Sequence, residues 1–232
     1  MFSLFHRKPT YRKAGYFNGF TDWHCHILPG VDDGVKTMET ALEILGEYDR
    51  LGFSDVWLTP HIMEDIPNTT SHLRQRFEEL SKAWGGRVKL HLAAENMLDG
   101  LFAERLAEGD LLPIGPEQRH LLVETSYFNP PIGVYDMMRS ILSAGYYPIL
   151  AHPERYVYMD TDDYTKLHEM GILFQLNLPS LHGMYGETAQ EKAKGFLKKG
   201  WYHLMATDLH RAEALQMLIN KRVVDADIAN KL

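Results

Sequence analysis

One arrangement of apolar and polar positions recurs along the chain: a helix-like stretch, a glycine, then an aromatic or apolar run that ends in polar residues. It occurs at Leu51-Gly52-Phe53 before DVWLTPH, Ala144-Gly145-Tyr146 before YPILAHP, Met170-Gly171-Ile172 before LFQLNLP, and Lys199-Gly200-Trp201 before YHLMATDLH. Glycine suits the left-handed position just past a helix end, and a nearly continuous apolar run suits a parallel strand buried on both faces. The intervening segments carry a helical period: Met38, Ala41, Leu42 and Leu45 fall on one face, with Thr37 placed to cap the start. Strands are expected over 20–26, 55–60, 88–95, 120–126, 147–153, 173–179 and 202–208, giving seven βα units. Such units open into a doubly wound sheet or close into a barrel. A doubly wound sheet commonly announces itself with a glycine-rich phosphate loop. Gly195 and Gly200 have that spacing, but Trp201 stands where its lysine is needed. The pattern predicts an α/β barrel over 20–232.

The strand ends then carry the chemistry, because in a parallel barrel they share one rim however distant they are in the chain. They read Asp22-Trp23-His24-Cys25-His26, Thr59-Pro60-His61, Ala94-Glu95-Asn96, Val123-Glu124-Thr125, Ala151-His152-Pro153, Leu176-Asn177-Leu178 and Thr207-Asp208-Leu209-His210. All but the Asn177 end carry a His, Asp or Glu, mostly straight after an apolar run, where a polar group costs free energy unless paired or bound to a metal. His24 and His26 alternate, which puts both imidazoles on one face, with Asp22 below them as a candidate hydrogen-bond partner and Cys25 on the other face.

Composition narrows the function classes. The 232 residues carry 24 Lys and Arg against 31 Asp and Glu, a net charge of −7, so no broad cationic field gathers a nucleic acid. With 45% hydrophobic residues the chain is that of an ordered globular protein. Its single cysteine excludes an intramolecular disulfide and a thiolate zinc cluster, leaves histidines and carboxylates as the metal ligands, and fits a reducing cytoplasm. No run is long enough for a membrane helix, and the opening residues lack the apolar core of a secretion signal. Residues 1–19 lie outside the βα pattern and carry Arg7, Lys8, Arg12 and Lys13 without an acid. Phe2, Leu4 and Phe5 beside them fit contact with a membrane surface, a segment packed across the barrel bottom, or a loose tail. Cysteine-phosphatase chemistry fails because Val31 stands where the C-x5-R arginine belongs, and neither a zinc-protease helix nor a G-x-S-x-G elbow is present.

The run DWHCHILPGVDDG, the following His61, Glu95 and Glu124, the HPERY at His152–Tyr156 and Asp208-x-His210 together resemble the PHP (polymerase and histidinol phosphatase) superfamily over about residues 20–215. Within it, DDG and HPERY look most like the bacterial tyrosine-protein phosphatases of capsule and exopolysaccharide operons. The resemblance implies a distorted seven-stranded (β/α)7 barrel with three divalent metal ions. His24, His26, Glu95 and Asp208 would hold the first. Glu95 would bridge to the second, completed by Glu124 and His152, while Asp33, His61 and His210 hold the third, with Asp32 competing for the place of Asp33. Four carboxylates and five neutral imidazoles around three divalent ions leave a charge of about +2, suited to a phosphate dianion. All-N/O ligation suits Mn, Fe or Zn.

The implied reaction is phosphomonoester hydrolysis by a metal-activated water, without a covalent enzyme intermediate. Arg155 is placed to clamp the phosphoryl group unless it pairs with Glu154 or another nearby acid; Arg211 is the weaker candidate. His61 or Asp33 can serve as an optional acid. Tyr127, Phe128 and Tyr156 are candidates to stack on a phenyl ring or to fill the rim. The segment MEDIPNTTSH after the second strand has the length of a flap. The remaining histidines, His6, His72, His91, His120, His168, His182 and His203, read as surface or core. The implied partner is a tyrosine-phosphorylated protein, a bacterial tyrosine kinase of capsule or exopolysaccharide synthesis. The alternative is a histidinol-phosphate phosphatase, followed by a regulatory PHP domain without catalysis.

Overall fold

The computed structural model describes residues 8–232. Phe2, Leu4, Phe5, His6 and Arg7 therefore lie outside the described residues. In chain order the elements are α1 (Tyr11–Ala14), β1 (Thr21–Cys25), α2 (Met38–Leu51), β2 (Asp55–Leu58), β3 (His61–Ile62), α3 (Thr70–Ala83), β4 (Lys89–Leu92), β5 (Glu95–Met97), α4 (Gly100–Glu108), β6 (His120–Glu124), α5 (Val134–Ser143), β7 (Tyr147–Ala151), α6 (Thr161–Glu169), β8 (Leu173–Asn177), α7 (Glu187–Lys199), β9 (Tyr202–Ala206) and α8 (Ala212–Ile219). Gly52, Gly145, Gly171 and Gly200 all adopt the left-handed conformation expected of them. Thr37 caps α2 by accepting from the N–H of Thr40 at 3.2 Å.

All seven expected strand segments are present and every strand pair is parallel. They form two sheets rather than one closed cylinder, in the orders β1-β2-β4 and β3-β5-β6-β7-β8-β9. The second and third expected strands each break in two. Pro60 has no N–H to donate to a ladder. Beside it, the Thr59 hydroxyl accepts from the Cys25 N–H at 3.2 Å, substituting a side chain for a ladder bond. The chain thus leaves one sheet after Leu58 and enters the other at His61. The third strand steps across in the same way at Ala93-Ala94, where the Ala94 N–H turns to Leu112 O at 3.2 Å. At the other edge the sheets touch again: Asp208 N donates to His24 O and His26 N to Leu209 O, both at 2.9 Å.

The core lies in two shells. The larger fills the space between sheets and helices, and a smaller inner cluster includes Trp23, Trp57, Leu122, Ile149 and Leu204. The last residues reach this inner cluster beside the start of β1. Asn230 donates to Thr21 O at 3.0 Å and accepts from the Met205 N–H at 2.7 Å, its carbonyl takes the Trp23 indole N–H at 3.1 Å, and Leu232 packs against the cluster. The segment before β1 lies beside α2 and α8. Tyr11 N donates to Lys221 O at 2.9 Å, Arg12 pairs with Glu47 at 2.6 Å, and the Tyr11 and Phe17 rings are buried. Among the described residues no helix is long and apolar enough to cross a membrane.

Candidate metal centre

His24, in β1, and His26, just after it, are both fully buried. The His24 Nδ1 lies 2.9 Å from Gln175 Oε1, and the His26 Nδ1 lies 2.8 Å from Asp32 Oδ2. With each Nδ1 directed at an acceptor, the two Nε2 atoms face each other at 3.0 Å and need a positive charge, a proton or a cation, between them. Glu95 Oε2 at 3.2 and 3.3 Å and Asp208 Oδ1 at 3.5 Å from each nitrogen complete a closed ring of donors. Burial pulls the His24 pKa down, but the Glu95 and Asp208 carboxylates outweigh it and raise it to about 9. The cluster is short of positive charge, which is the condition a divalent cation relieves. Asp22 takes no part: it accepts from the Thr207 N–H at 2.8 Å, the Thr207 hydroxyl at 2.6 Å and the Tyr48 hydroxyl at 2.7 Å, so Gln175 fills the place expected of it beneath His24.

Glu95 is the hub. Its Oε1 lies 2.9 Å from His152 Nε2, and its Oε2 lies 3.1 Å from His61 Nδ1, in addition to the two contacts already given. Glu95 Oε2 and His61 Nδ1 are nonetheless buried without a satisfied hydrogen bond. Glu124 approaches His61 Nδ1 at 3.0 Å but His152 Nε2 only at 4.0 Å. Asp33, whose side chain is 65% exposed, stands 3.5 Å from both His61 Nε2 and His210 Nε2. His210 lowers its pKa below the usual carboxylate range. Asp32 accepts from His26, from the Gly34 N–H and from the His61 N–H, whereas Asp33 is grouped with His26, His61 and His210. The groups of donors within metal-binding reach are His24–Glu95–His152, His24–His26–Asp208, His61–Glu95–Glu124 and His26–Asp33–His61–His210, so all nine expected residues come together and none of the other described histidines joins them. Gly34 makes this loop possible, since a Cβ there would overlap the carbonyl oxygen and Cβ of His26. His152 and Asp208 sit in the left-handed region, at φ 32° and 51°.

A cavity of about 320 Å³ opens over the cluster, with Met63, Ile66, Tyr127 and Arg155 on its walls. The expected flap is a turn closed by reciprocal Met63–Ile66 backbone bonds and pinned by Asn68, which donates to the Val31 and His61 carbonyls. Arg155 does not pair with Glu154, which is buried beneath and accepts from the Asn177 N–H and the Tyr202 hydroxyl. Instead its Nη1 donates to Asp208 Oδ2 at 2.8 Å, so it does take the pairing with a nearby acid, the alternative to a phosphate clamp, through one N–H only. Its guanidinium lies between the rings of Tyr127 (4.3 Å) and Tyr185 (4.2 Å). Tyr127 therefore spends a face on Arg155, and its hydroxyl lies 3.3 Å from Glu124. Tyr156 is not on the rim: it is fully buried, its hydroxyl donating to Ala151 O and accepting from the Thr125 N–H. Phe128 is 73% exposed outside the cavity wall. Arg211 lines a neighbouring cavity with Asp33 and Lys36 rather than this one.

Sequence reasoning missed Gln175, Asn177 and Tyr185. The first two carried a signal, as polar residues alternating within the apolar run LFQLN; Asn177 donates to Asp208 Oδ2 at 2.8 Å. Tyr185 is flanked by Gly183 and Gly186, a turn signature without a target.

The family model described as capsular polysaccharide synthesis, CpsB/CapC, matches residues 20–224. The chain belongs to the CpsB/CapC family. Among relatives, CapC of Staphylococcus aureus is 28% identical over 88% of this chain and 84% of its own. The tyrosine-protein phosphatases YwqE of Bacillus subtilis and CpsB of Streptococcus pneumoniae are 26% and 27% identical over 83% of this chain, and over 78% and 84% of their own. In the work on the crystal structures of YwqE and CpsB, described as metal-dependent tyrosine phosphatases, one chain superposes with a TM-score of 0.76, at 24% identity, over 84% of this chain and 81% of that chain. The CpsB/CapC family thus has the α/β fold with parallel sheets found here.

Proposed function

We propose that the protein is a metal-dependent protein-tyrosine phosphatase acting on a bacterial tyrosine kinase of capsule or exopolysaccharide synthesis. The observation that carries this reading is the pair of facing His24 and His26 Nε2 atoms, 3.0 Å apart and ringed by buried carboxylates, beneath an open mouth walled by Arg155. On this reading His24, His26, Glu95 and Asp208 hold one ion, Glu95, Glu124 and His152 a second, and Asp33, His61 and His210 a third, of Mn, Fe or Zn. Bound there, the ions supply Lewis acidity toward the phosphoryl oxygens and lower the pKa of water. Gln175 and Asp32 orient the imidazoles of His24 and His26 through their Nδ1 atoms, and Asn177 and Arg155 hold one oxygen of Asp208 so that the other faces the cluster. Arg155 offers its remaining N–H groups to the substrate phosphate. A tyrosine leaving group departs as phenolate, pKa near 10, and needs little help from an acid; as ligands of the third ion, His61 and the low-pKa Asp33 are not free to serve as one.

For the fold we infer closure of the two sheets into the distorted seven-stranded barrel, supported by the backbone bonds between the end of β1 and the residues just after β9 at one junction and the bonded strand breaks at the other. Residues 20–232 form its single domain in this reading, and the cytoplasm is its location. The test is hydrolysis by metal-loaded and chelator-stripped protein. Loaded protein should turn over phosphotyrosine peptides much faster than phosphoserine or histidinol phosphate, and stripping should abolish the activity. A preference for histidinol phosphate would overturn the substrate reading, and full activity without metal would overturn the mechanism.

A further inference from the structure

Arg155 has one hydrogen-bonded protein partner among the described contacts, Asp208, through a single Nη1 bond. One bond fixes a point and leaves the guanidinium plane free to turn about it. The Arg155 Cζ also lies over two rings, Tyr127 at 4.3 Å and Tyr185 at 4.2 Å, and these differ in how they are held. Tyr127 is anchored at the strand-end loop after β6, where its carbonyl accepts from the Val157 N–H at 2.9 Å. Tyr185 comes from elsewhere in the chain. It sits on a turn between Gly183 (φ 69°) and Gly186 (φ 93°), after the short 3-10 segment that follows β8, and remains 37% exposed. With two rings against the guanidinium and one N–H on Asp208, the remaining N–H groups of Arg155 lack a protein acceptor among the described contacts and border the cavity over the cluster.

We propose that Tyr185 is a positioning residue for phosphate recognition: it closes the second face of Arg155 and holds the guanidinium plane so that its unpaired N–H edge faces the anion. The inference rests on the phosphatase reading for its substrate and deepens it by assigning the orientation of the clamp to a turn outside the donor cluster. The ring, not the hydroxyl, does this, because the contact is with the π face. A leucine fills similar space without a quadrupole and without planarity.

The test compares Tyr185→Leu and Tyr185→Phe with the parent protein, all metal-loaded and checked for equal metal content. Binding of inorganic phosphate is followed by calorimetry and turnover of a phosphotyrosine peptide is measured beside it. Tyr185→Leu is expected to weaken phosphate binding about tenfold and to lower kcat/KM by a similar factor, the scale of a lost, partly desolvated cation–π contact. Tyr185→Phe is expected to stay within about twofold of the parent on both, the same contact being kept. Unchanged phosphate binding in the leucine variant overturns the proposal, as does a phenylalanine variant as impaired as the leucine one. A parent protein that binds phosphate with the expected Leu and Phe pattern but does not hydrolyse phosphotyrosine leaves the positioning role standing and removes the phosphatase reading. One that binds no phosphate removes both.

Discussion

Replacing Glu95 by glutamine is the most discriminating single change to the cluster, because it keeps the volume and removes one charge. The parent carboxylate is fully buried and meets four imidazole nitrogens, His152 Nε2 at 2.9 Å, His61 Nδ1 at 3.1 Å, His24 Nε2 at 3.2 Å and His26 Nε2 at 3.3 Å. A unit charge about 3 Å from another is worth roughly 5 kcal/mol at an effective dielectric constant of about 20. Removing one partner of a buried charged set costs about 3–5 kcal/mol. Since Glu95 belongs to two of the proposed ion sets, both should lose affinity, by about 10²–10³-fold each on that scale. Elemental analysis after dialysis against graded chelator should fall from about three ions per chain toward about one, and kcat/KM on a phosphotyrosine peptide should drop by more than about 10³-fold. Glu95→Asp keeps the charge on a side chain one methylene shorter and should fall between the two. Circular dichroism should report an intact fold throughout, the amide being able to donate to His152 Nε2. A Glu95→Gln protein that retains the full metal content and activity within about tenfold of the parent would refute the assignment of Glu95 as a shared ligand.

Gly34→Ala should lower both metal content and turnover, because the new methyl must push the His26 backbone away, and elemental analysis of the purified variant checks it. Asn230→Ala leaves the Met205 N–H without its 2.7 Å acceptor and places alanine at φ 54°, so urea unfolding should show a loss of about 2 kcal/mol while kcat/KM stays unchanged. His182 has its pKa pulled down to about 4 by burial, with Lys221 and Lys194 adding to it. A folded-state value below the unfolded 6.5 means its stabilising contribution is complete above about pH 6.5 and is lost as the pH falls toward 4. His182→Gln should therefore flatten the thermal-midpoint profile over that window relative to the parent, and parallel profiles would refute the linkage.

The strands and the cluster were legible because both are local statements. An apolar run that ends abruptly at His61, Glu95, His152 or Asp208 marks a strand end, and parallel strands bring their ends together whatever the details of pairing. What stayed hidden depends on partners distant in the chain. In DVWLTPH the Thr59-Pro60 pair marks a local break, but nothing local shows that the two halves pair in different sheets. Asp22 lies below the histidines on β1, yet the groups that take its oxygens, Thr207 and Tyr48, come from β9's end and α2. Tyr156, in HPERY, shares its motif with Arg155, but the turn that points Arg155 into the mouth buries Tyr156 behind it. Tyr185 reaches Arg155 from a loop 30 residues later, a distance no periodicity spans.

His152 and Asp208 hold their side chains over the cluster from a left-handed backbone that suits neither residue as well as it suits glycine or asparagine. Such a conformation persists only while the surroundings impose it, at a cost on the order of 1 kcal/mol or more apiece. Chemistry and durability therefore oppose each other at these two positions. Selection for turnover keeps the strained residues in place, and the contacts that impose the strain, His152 to Glu95 and Asp208 to Arg155 and Asn177, must be kept with them, so that the site is inherited as a unit.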